Sequence, residues 1–255
     1  MNFQILSLFP EMIQSYLQEG VVGSAFKKNL FSLQLINPRD FSVDNHKSVD
    51  DRPFGGGDGM VMMPETMELA LESRLEKADH VVYLSPQGSA LNEKKVQEFY
   101  QKKNVTLICG RYAGLDQRFI NTHVNEEISI GDFVISGGEL AALCIVDAVV
   151  RKIPGSLGHL DSATDDSFAN PGGGLECPLF TRPQIWQNQA VPEILLSGHH
   201  GRIQIWRDQV AKLVTMKKRP DLVKLNDFEK KGLQKFYSQL SAVDKKVCDI
   251  EGMEF

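Results

Sequence analysis

Two rhythms of apolar and polar positions take turns along the first 150 residues. Short apolar runs rich in Val, Ile, Leu and Phe at 2–9, 30–36, 81–84, 105–109 and 127–130 predict strands. Between them, apolar residues spaced three and four apart predict helices over 11–19, 64–77, 93–102 and 115–121. Gly20 reads as the stop of the first helix and Asn92 as the cap of the third. Strand and helix alternating in this way predict an α/β domain with a largely parallel sheet. In such sheets ligands sit beyond the carboxyl ends of the strands, where the strand order switches.

Three glycine-bearing stretches fall at or beside those strand ends: YLSPQG at 83–88, CGRYAG at 109–114 and SIGDFVISGGEL at 129–140. Together they predict one pocket built mainly of backbone, which suits a neutral, edge-reading task such as holding an adenine ring. The basic residues and helix-start glycines expected around a pyrophosphate are missing. A long polar loop, 37–59, ends in DDRPFGGGDG; loops of that length are usually functional. Its Gly55, Gly56, Gly57 and Gly59 do not form G-x-G-x-x-G, because Met60 takes the last place, and no lysine and hydroxyl follow as in a phosphate loop.

The stretch 139–152 is apolar nearly all round, as expected of a helix buried in a core or against a second copy of the chain. A homodimer is the inference. Arg151 lies four residues after Asp147, so the two can pair. After Pro154-Gly155 the texture changes. Residues 156–174 are polar and glycine-rich with an acidic run at 161–166, and read as an interdomain linker and lid. Prolines punctuate 175–192. Two helices are then predicted, 202–217 with the stripe Ile203, Trp206, Val210, Leu213 and Val214, and 227–240. Trp206 reads as core rather than as a base-stacking platform.

Composition sharpens this outline. A chain of 255 residues with 42% apolar content buries a real core as one large domain or two unequal ones. The net charge of −5 is unevenly spread. Residues 1–198 carry 16 basic against 25 acidic side chains (−9), and 199–255 carry 12 against 8 (+4), an asymmetry that fits a nucleic-acid-binding portion or a solvated helix face. Cys109, Cys144, Cys177 and Cys248 form no C-x-x-C pair, so neither a zinc site nor a redox pair is expected. The adjacent His199 and His200 do not face one metal from a helix. The opening MNFQILSLFPEMI has no basic leader, and the longest apolar run is too short for a bilayer, so a soluble cytoplasmic protein is expected.

Taken together and in order, YLSPQG, CGRYAGLDQR, SIGDFVISGGEL, IPGSLGH, SATDDSF and CPLFTRP closely resemble the bacterial tRNA (guanine-N1)-methyltransferases of the SPOUT class. The resemblance runs from SLFPEM at 7–12 to VPEILLSG at 191–198. It implies a trefoil-knotted, mainly parallel catalytic domain over 1–157, a flexible linker or lid over 158–174, and a smaller helical tRNA-binding domain over 175–255. It implies a homodimer with the active site between subunits, S-adenosyl-L-methionine as methyl donor, and tRNA as substrate, modified at the guanosine 3′ of the anticodon (position 37). Mg2+ is an additional candidate, with no metal ligands assigned. By that likeness Tyr83, Leu84, Ser85, Pro86 and Gly110 contact the cofactor. So do Ser129, Ile130, Gly131, Asp132, Phe133, Val134 and Ile135, with Gly137 and Gly138. Asp50, Gly59, Ser162 and Arg182 match substrate positions, and Asp166 and Arg151 match the catalytic pair.

Guanine N1 carries a proton and is a poor nucleophile until it is removed. A positioned carboxylate such as Asp166 supplies ~10²–10⁴-fold as general base, and aligning N1 with the methyl is worth ~7–11 kcal/mol. Arg151 would stabilise negative charge spreading to O6. From the residues alone Asp166 reads as a helix cap or loop carboxylate and Arg151 as a helix-end cation; the resemblance reverses both. Four positions depart from the family pattern: Ala113 where a glutamate is common, Phe133 for a tyrosine, and Leu179-Phe180 for a histidine-tyrosine pair. Two other readings are open, a non-catalytic RNA-binding protein and, below it, a metal-dependent hydrolase using Asp161, Asp165 and Asp166.

Overall fold

The short apolar runs become parallel strands because each is followed by a helix long enough to carry the chain back across the sheet. The computed structural model describes residues 1–77, 80–158, 166–170 and 172–255, and the chain divides into two units, Met1–Leu160 and Asp161–Phe255. The first unit runs β1 (Asn2–Leu6), α1 (Pro10–Tyr16), α2 (Gly20–Lys27), β2 (Ser32–Ile36), β3 (Asp50–Asp51), β4 (Val61–Met62) and α3 (Pro64–Glu72). It continues through β5 (His80–Ala90), α4 (Glu93–Tyr100), β6 (Asn104–Cys109), α5 (Gln117–His123), β7 (Glu126–Ser129) and α6 (Glu139–Val150). Among the described residues the main sheet has the order β2-β1-β6-β5-β7, with every pairing parallel.

Period-two alternation in the strands feeds two cores. Phe3 and Ile5 of β1, Val82 and Leu84 of β5, and Val105 and Leu107 of β6 pack with Ala142, Ile145 and Val149 of α6. Leu6, Val81, Tyr83 and Ile108 pack on the opposite face with Met67 and Leu71 of α3 and Phe119 of α5. Gln4, nearly fully buried between these layers, accepts from the Thr106 hydroxyl at 3.0 Å and donates to the Glu76 carbonyl at 2.8 Å.

Three details differ from the sequence reading. Gly20 does not end a helix; at φ +72° it supplies the left-handed break from which α2 starts. The YLSPQG stretch is strand rather than loop. β5 runs on through it, shifts register after Leu84, and pairs Ser89 and Ala90 with Ile128 and Ser129 of β7. Gly88 permits this, since a Cβ there would lie 2.3 Å from the Ile128 backbone nitrogen. The polar loop 37–59 carries half a hairpin, Asp50↔Met62 and Asp51↔Val61. On α6, Ala142, Ile145 and Val149 are buried, while Leu140 is 53% exposed and Cys144 is open, the face that the sequence reading left to a second copy of the chain. The Asn92 cap stands as read, its Oδ1 accepting from Lys95 N at 3.0 Å.

The second unit contains a two-stranded hairpin, β8 (Ile185–Trp186) and β9 (Gln189–Ala190), then α7 (Glu193–Leu196), α8 (His200–Lys218), α9 (Asp227–Gln239) and α10 (Ala242–Val247). Gln187 and Asn188 turn the hairpin with φ of +49° and +60°. Four of the five positions of the α8 stripe are buried as read: Trp206, Val210, Leu213 and Val214 pack with Leu233, Cys248 and Ile250, while Ile203 is half-buried. Asn226 and Glu229 cap α9 reciprocally.

Candidate functional site

The middle of β5 and the carboxyl ends of β6 and β7 open onto one cavity of about 250 Å³ in the first unit. β5 contributes Tyr83, Leu84, Ser85 and Pro86, and the turn after β6 contributes Gly110. The segment leaving β7 supplies Ser129, Ile130, Gly131, Phe133, Val134 and Ile135, followed by Gly137 and Gly138 at the start of α6. Thirteen of the fourteen cofactor-site residues read from the sequence therefore line a single space; Asp132 sits in the same turn without lining it. The volume lies close to the lower end of the ~300–1,000 Å³ usual for small-molecule sites.

Local packing makes the walls. The Tyr83 ring underlies the 110–114 turn, where a Cβ at Gly110 would come 2.7 Å from Tyr83 Cε2 and one at Gly114 3.1 Å from its hydroxyl. Burial raises the Tyr83 phenol above its ordinary value, so it stays neutral. On the opposite wall Ser129 closes a tight turn, with Oγ donating to Gly131 O at 3.0 Å and accepting from Gly131 N at 3.2 Å. Gly138 joins the walls: its N–H donates to Gly110 O at 3.0 Å, and a Cβ would stand 2.7 Å from Cys109 Cα. Burial first, and then the nearby Glu139 charge, push the Cys109 thiol well above its ordinary range, which leaves it an inert wall. Phe133 and Val134 are exposed at the lip.

Several contributors were not named singly as site residues from the sequence. Arg111, Tyr112, Ala113, Gly114 and Ser136, all within the glycine-bearing stretches, line the cavity together with Ile128 and Ala141, and Glu139 lies behind it, 2.9 Å from Arg111. Arg111 was visible inside CGRYAG. Glu139 gave no signal, because an acidic residue opening an apolar helix reads as an ordinary partner of the helix dipole.

The remaining site residues are distributed over both units. The turn after β6 is stitched to β4, with Ala113 N donating to Met60 O at 2.8 Å and Met62 N to Gly114 O at 2.9 Å. That brings Gly59 beside the cavity, where a Cβ would meet the Ala113 methyl at 3.5 Å, and Asp50 faces Met62 across the hairpin. Arg151 caps α6, its N–H bonded to Asp147 O at 3.1 Å. Asp166 and the exposed Arg182 belong to the second unit. The Asp166 carbonyl accepts from Ala169 N and Asn170 N. Ser162, with Asp161 and Asp165 of the hydrolase reading, lies outside the described residues. Among the described residues no group of three or more His, Cys, Asp or Glu side chains could hold a metal, and no helix is long and apolar enough to cross a membrane.

A cavity walled by main chain, with buried Ser85 and Ser129 and a neutral phenol beneath, fits the flat, uncharged end of a nucleoside-like ligand. Comparison with known proteins points the same way. The family model for tRNA (Guanine-1)-methyltransferase TrmD matches residues 1–225. A tRNA (guanine-N(1)-)-methyltransferase of Ralstonia nicotianae is 50% identical over 227 residues, covering 88% of this chain and 86% of the relative. Relatives of the same name from Cupriavidus metallidurans and Pseudomonas savastanoi are 44% identical over 252 residues and 47% over 242. They cover 95% and 92% of this chain, and each is itself covered over 96% of its length.

Proposed function

The chain belongs to the tRNA (guanine-1)-methyltransferase family, and on that premise we propose that it transfers a methyl group from S-adenosyl-L-methionine to N1 of the guanosine 3′ of the anticodon. The observation that carries the reading is the convergence of three sequence-distant segments, 83–86, 110–114 and 128–138, on one backbone-lined cavity. Main-chain groups there hold the adenine. When bound, the cofactor supplies an electrophilic sulfonium methyl. Gly59 and Asp50, on the hairpin stitched to the cavity, receive the target base, which has to leave its stack to enter.

Asp166 takes the N1 proton, and Arg151 faces the charge that spreads to O6 as N1 attacks. Ser162 and Arg182 contact the substrate. The knot takes in the three glycine-bearing stretches, where Gly88 against β7 and Gly138 against Cys109 leave no room for a side chain. The catalytic domain is 1–157, the lid 158–174 and the tRNA-binding domain 175–255, whose charge favours anticodon-stem phosphates. The exposed apolar side chains of Met12, Tyr16 and Leu140 on α1 and α6 fit a homodimer face, and the active site lies between subunits. The cytoplasm, where tRNA matures, is the compartment, and Mg2+ is an additional candidate for the reaction.

Methyl-labelled S-adenosyl-L-methionine incubated with the purified protein and a tRNA transcript tests the reading. Label appears in a transcript with guanosine after the anticodon and is lost when adenosine replaces it. Tight tRNA binding without label, indifferent to the cofactor, would instead support a non-catalytic RNA-binding protein.

A further inference from the structure

A charged layer lies directly behind the cavity. Glu139, 1% exposed in the first turn of α6, accepts a hydrogen bond from the Ser7 hydroxyl at 2.8 Å, and its other oxygen is 2.9 Å from Arg111 Nη2. That second oxygen and Arg111 Nε have no aligned hydrogen-bond partner among the described residues, so charge holds the pair together more than geometry does. Arg111 Nη1 donates to the Ser136 carbonyl at 3.1 Å, and its guanidinium lies 4.4 Å over the Phe9 ring. It also occupies the room a side chain would need at residue 137, where a Cβ would stand 2.2 Å from Nε. The two walls, 110–114 and 136–138, are thus joined by the Gly138–Gly110 main-chain bond and by one guanidinium neutralised from behind.

A buried carboxylate is costly unless compensated, and Ser7 and Arg111 compensate Glu139. The dependence runs the other way as well. Without Glu139, Arg111 has no charge partner fixing its fork among the described residues, and the Ser136 carbonyl loses a donor held in place. Glu139 itself does not line the cavity. We propose that Glu139 is a positioning residue for cofactor binding: it locks Arg111, which sets the Ser136–Gly138 main chain that grips the ligand. This rests on reading the cavity as the S-adenosyl-L-methionine site.

The test is Glu139→Gln in the full chain, by calorimetric titration with S-adenosyl-L-methionine and steady-state kinetics on a tRNA transcript. The expected result is a cofactor Kd and KM raised roughly tenfold, with the KM for tRNA changed less than about twofold. Because Glu139 acts through Arg111, the double variant Glu139→Gln/Arg111→Met binds the cofactor as Arg111→Met alone does. A folded Glu139→Gln protein with unchanged cofactor affinity overturns the proposal, as do losses that simply add in the double variant. If Glu139→Gln does not fold, Ser7→Ala decides: several-fold weaker cofactor binding supports the proposal, and unchanged binding overturns it. Wild-type protein that fails to bind the cofactor at all overturns the reading of the cavity instead.

Discussion

Gly88 lies against the backbone of Ile128 so closely that a methyl at its Cα would come within 2.3 Å of the Ile128 nitrogen. Neither partner is a flexible side chain that could step aside. Gly88→Ala is therefore expected to destabilise the fold by at least ~3 kcal/mol, the upper range of overpacking costs. Gly232→Ala is the matched contrast: exposed inside α9 with nothing within 4 Å of the added methyl, it should add ~0.5–1 kcal/mol. Urea unfolding midpoints of the two variants measure both.

Asp166 and Arg151 are assigned to the transfer step itself. Asp166→Asn keeps the shape and removes the base, so single-turnover methylation should slow by ~10²–10⁴-fold while cofactor binding is unaffected. Arg151→Ala should cost ~10²–10³-fold in the same assay. Undiminished transfer by Asp166→Asn would remove it from the mechanism.

Ala113 lines the cavity at the position where the family commonly carries a glutamate. Ala113→Glu returns a carboxylate to that wall, and an exposed charge pair is worth up to ~1 kcal/mol. The variant should bind S-adenosyl-L-methionine severalfold more tightly and leave S-adenosyl-homocysteine unchanged, since the product lacks the sulfonium charge. Equal gains for both ligands, read by calorimetry at low salt, would show that packing rather than charge is responsible.

The Tyr16 hydroxyl donates to Asp147 Oδ2 at 2.6 Å, which together with burial pushes its pKa from the ordinary 10.0 up to about 12. Between those values the folded chain keeps a proton that the unfolded chain releases, so stability falls as pH rises through that window. Below pH 10 the contribution is complete. In an ultraviolet titration, the Tyr16→Phe difference spectrum should show the missing phenolate appearing near pH 12. Loss of signal near pH 10 would mean that the bond to Asp147 is not maintained in solution.

Strand and helix order was legible because period-two and period-3.6 patterns survive burial on both faces of the sheet. The helices around Val96 and Trp206 were placed within two residues at each end. What escaped depends on contacts between distant parts of the chain. β5 passes through Ser85-Pro86-Gln87-Gly88 only because β7 offers a second register, and no local pattern announces a partner forty residues away. Gly20 carries the same letter whether it stops one helix or opens the next. For the cavity, the glycines were legible as close approaches, but what approaches them was not. Arg111 over Gly137 and Tyr83 under Gly110 are tertiary facts. The pair of Glu139 with Arg111 spans 28 positions that no helical or strand spacing connects.

β1 lies inside the main sheet, with one edge on β2 and the other on β6, where Asn2 meets Asn104 and Leu6 meets Ile108. Translation therefore delivers Phe3, Ile5 and Leu6 about a hundred residues before their second neighbour exists. Pairing over such a separation is slow, and an unsatisfied apolar strand edge attracts other chains while it waits. Ribosome-bound fragments ending before residue 104 should stay open to protease, whereas fragments with residue 129 clear of the exit tunnel become protected. Until the middle of the chain has emerged, β1 has no partner on its β6 side.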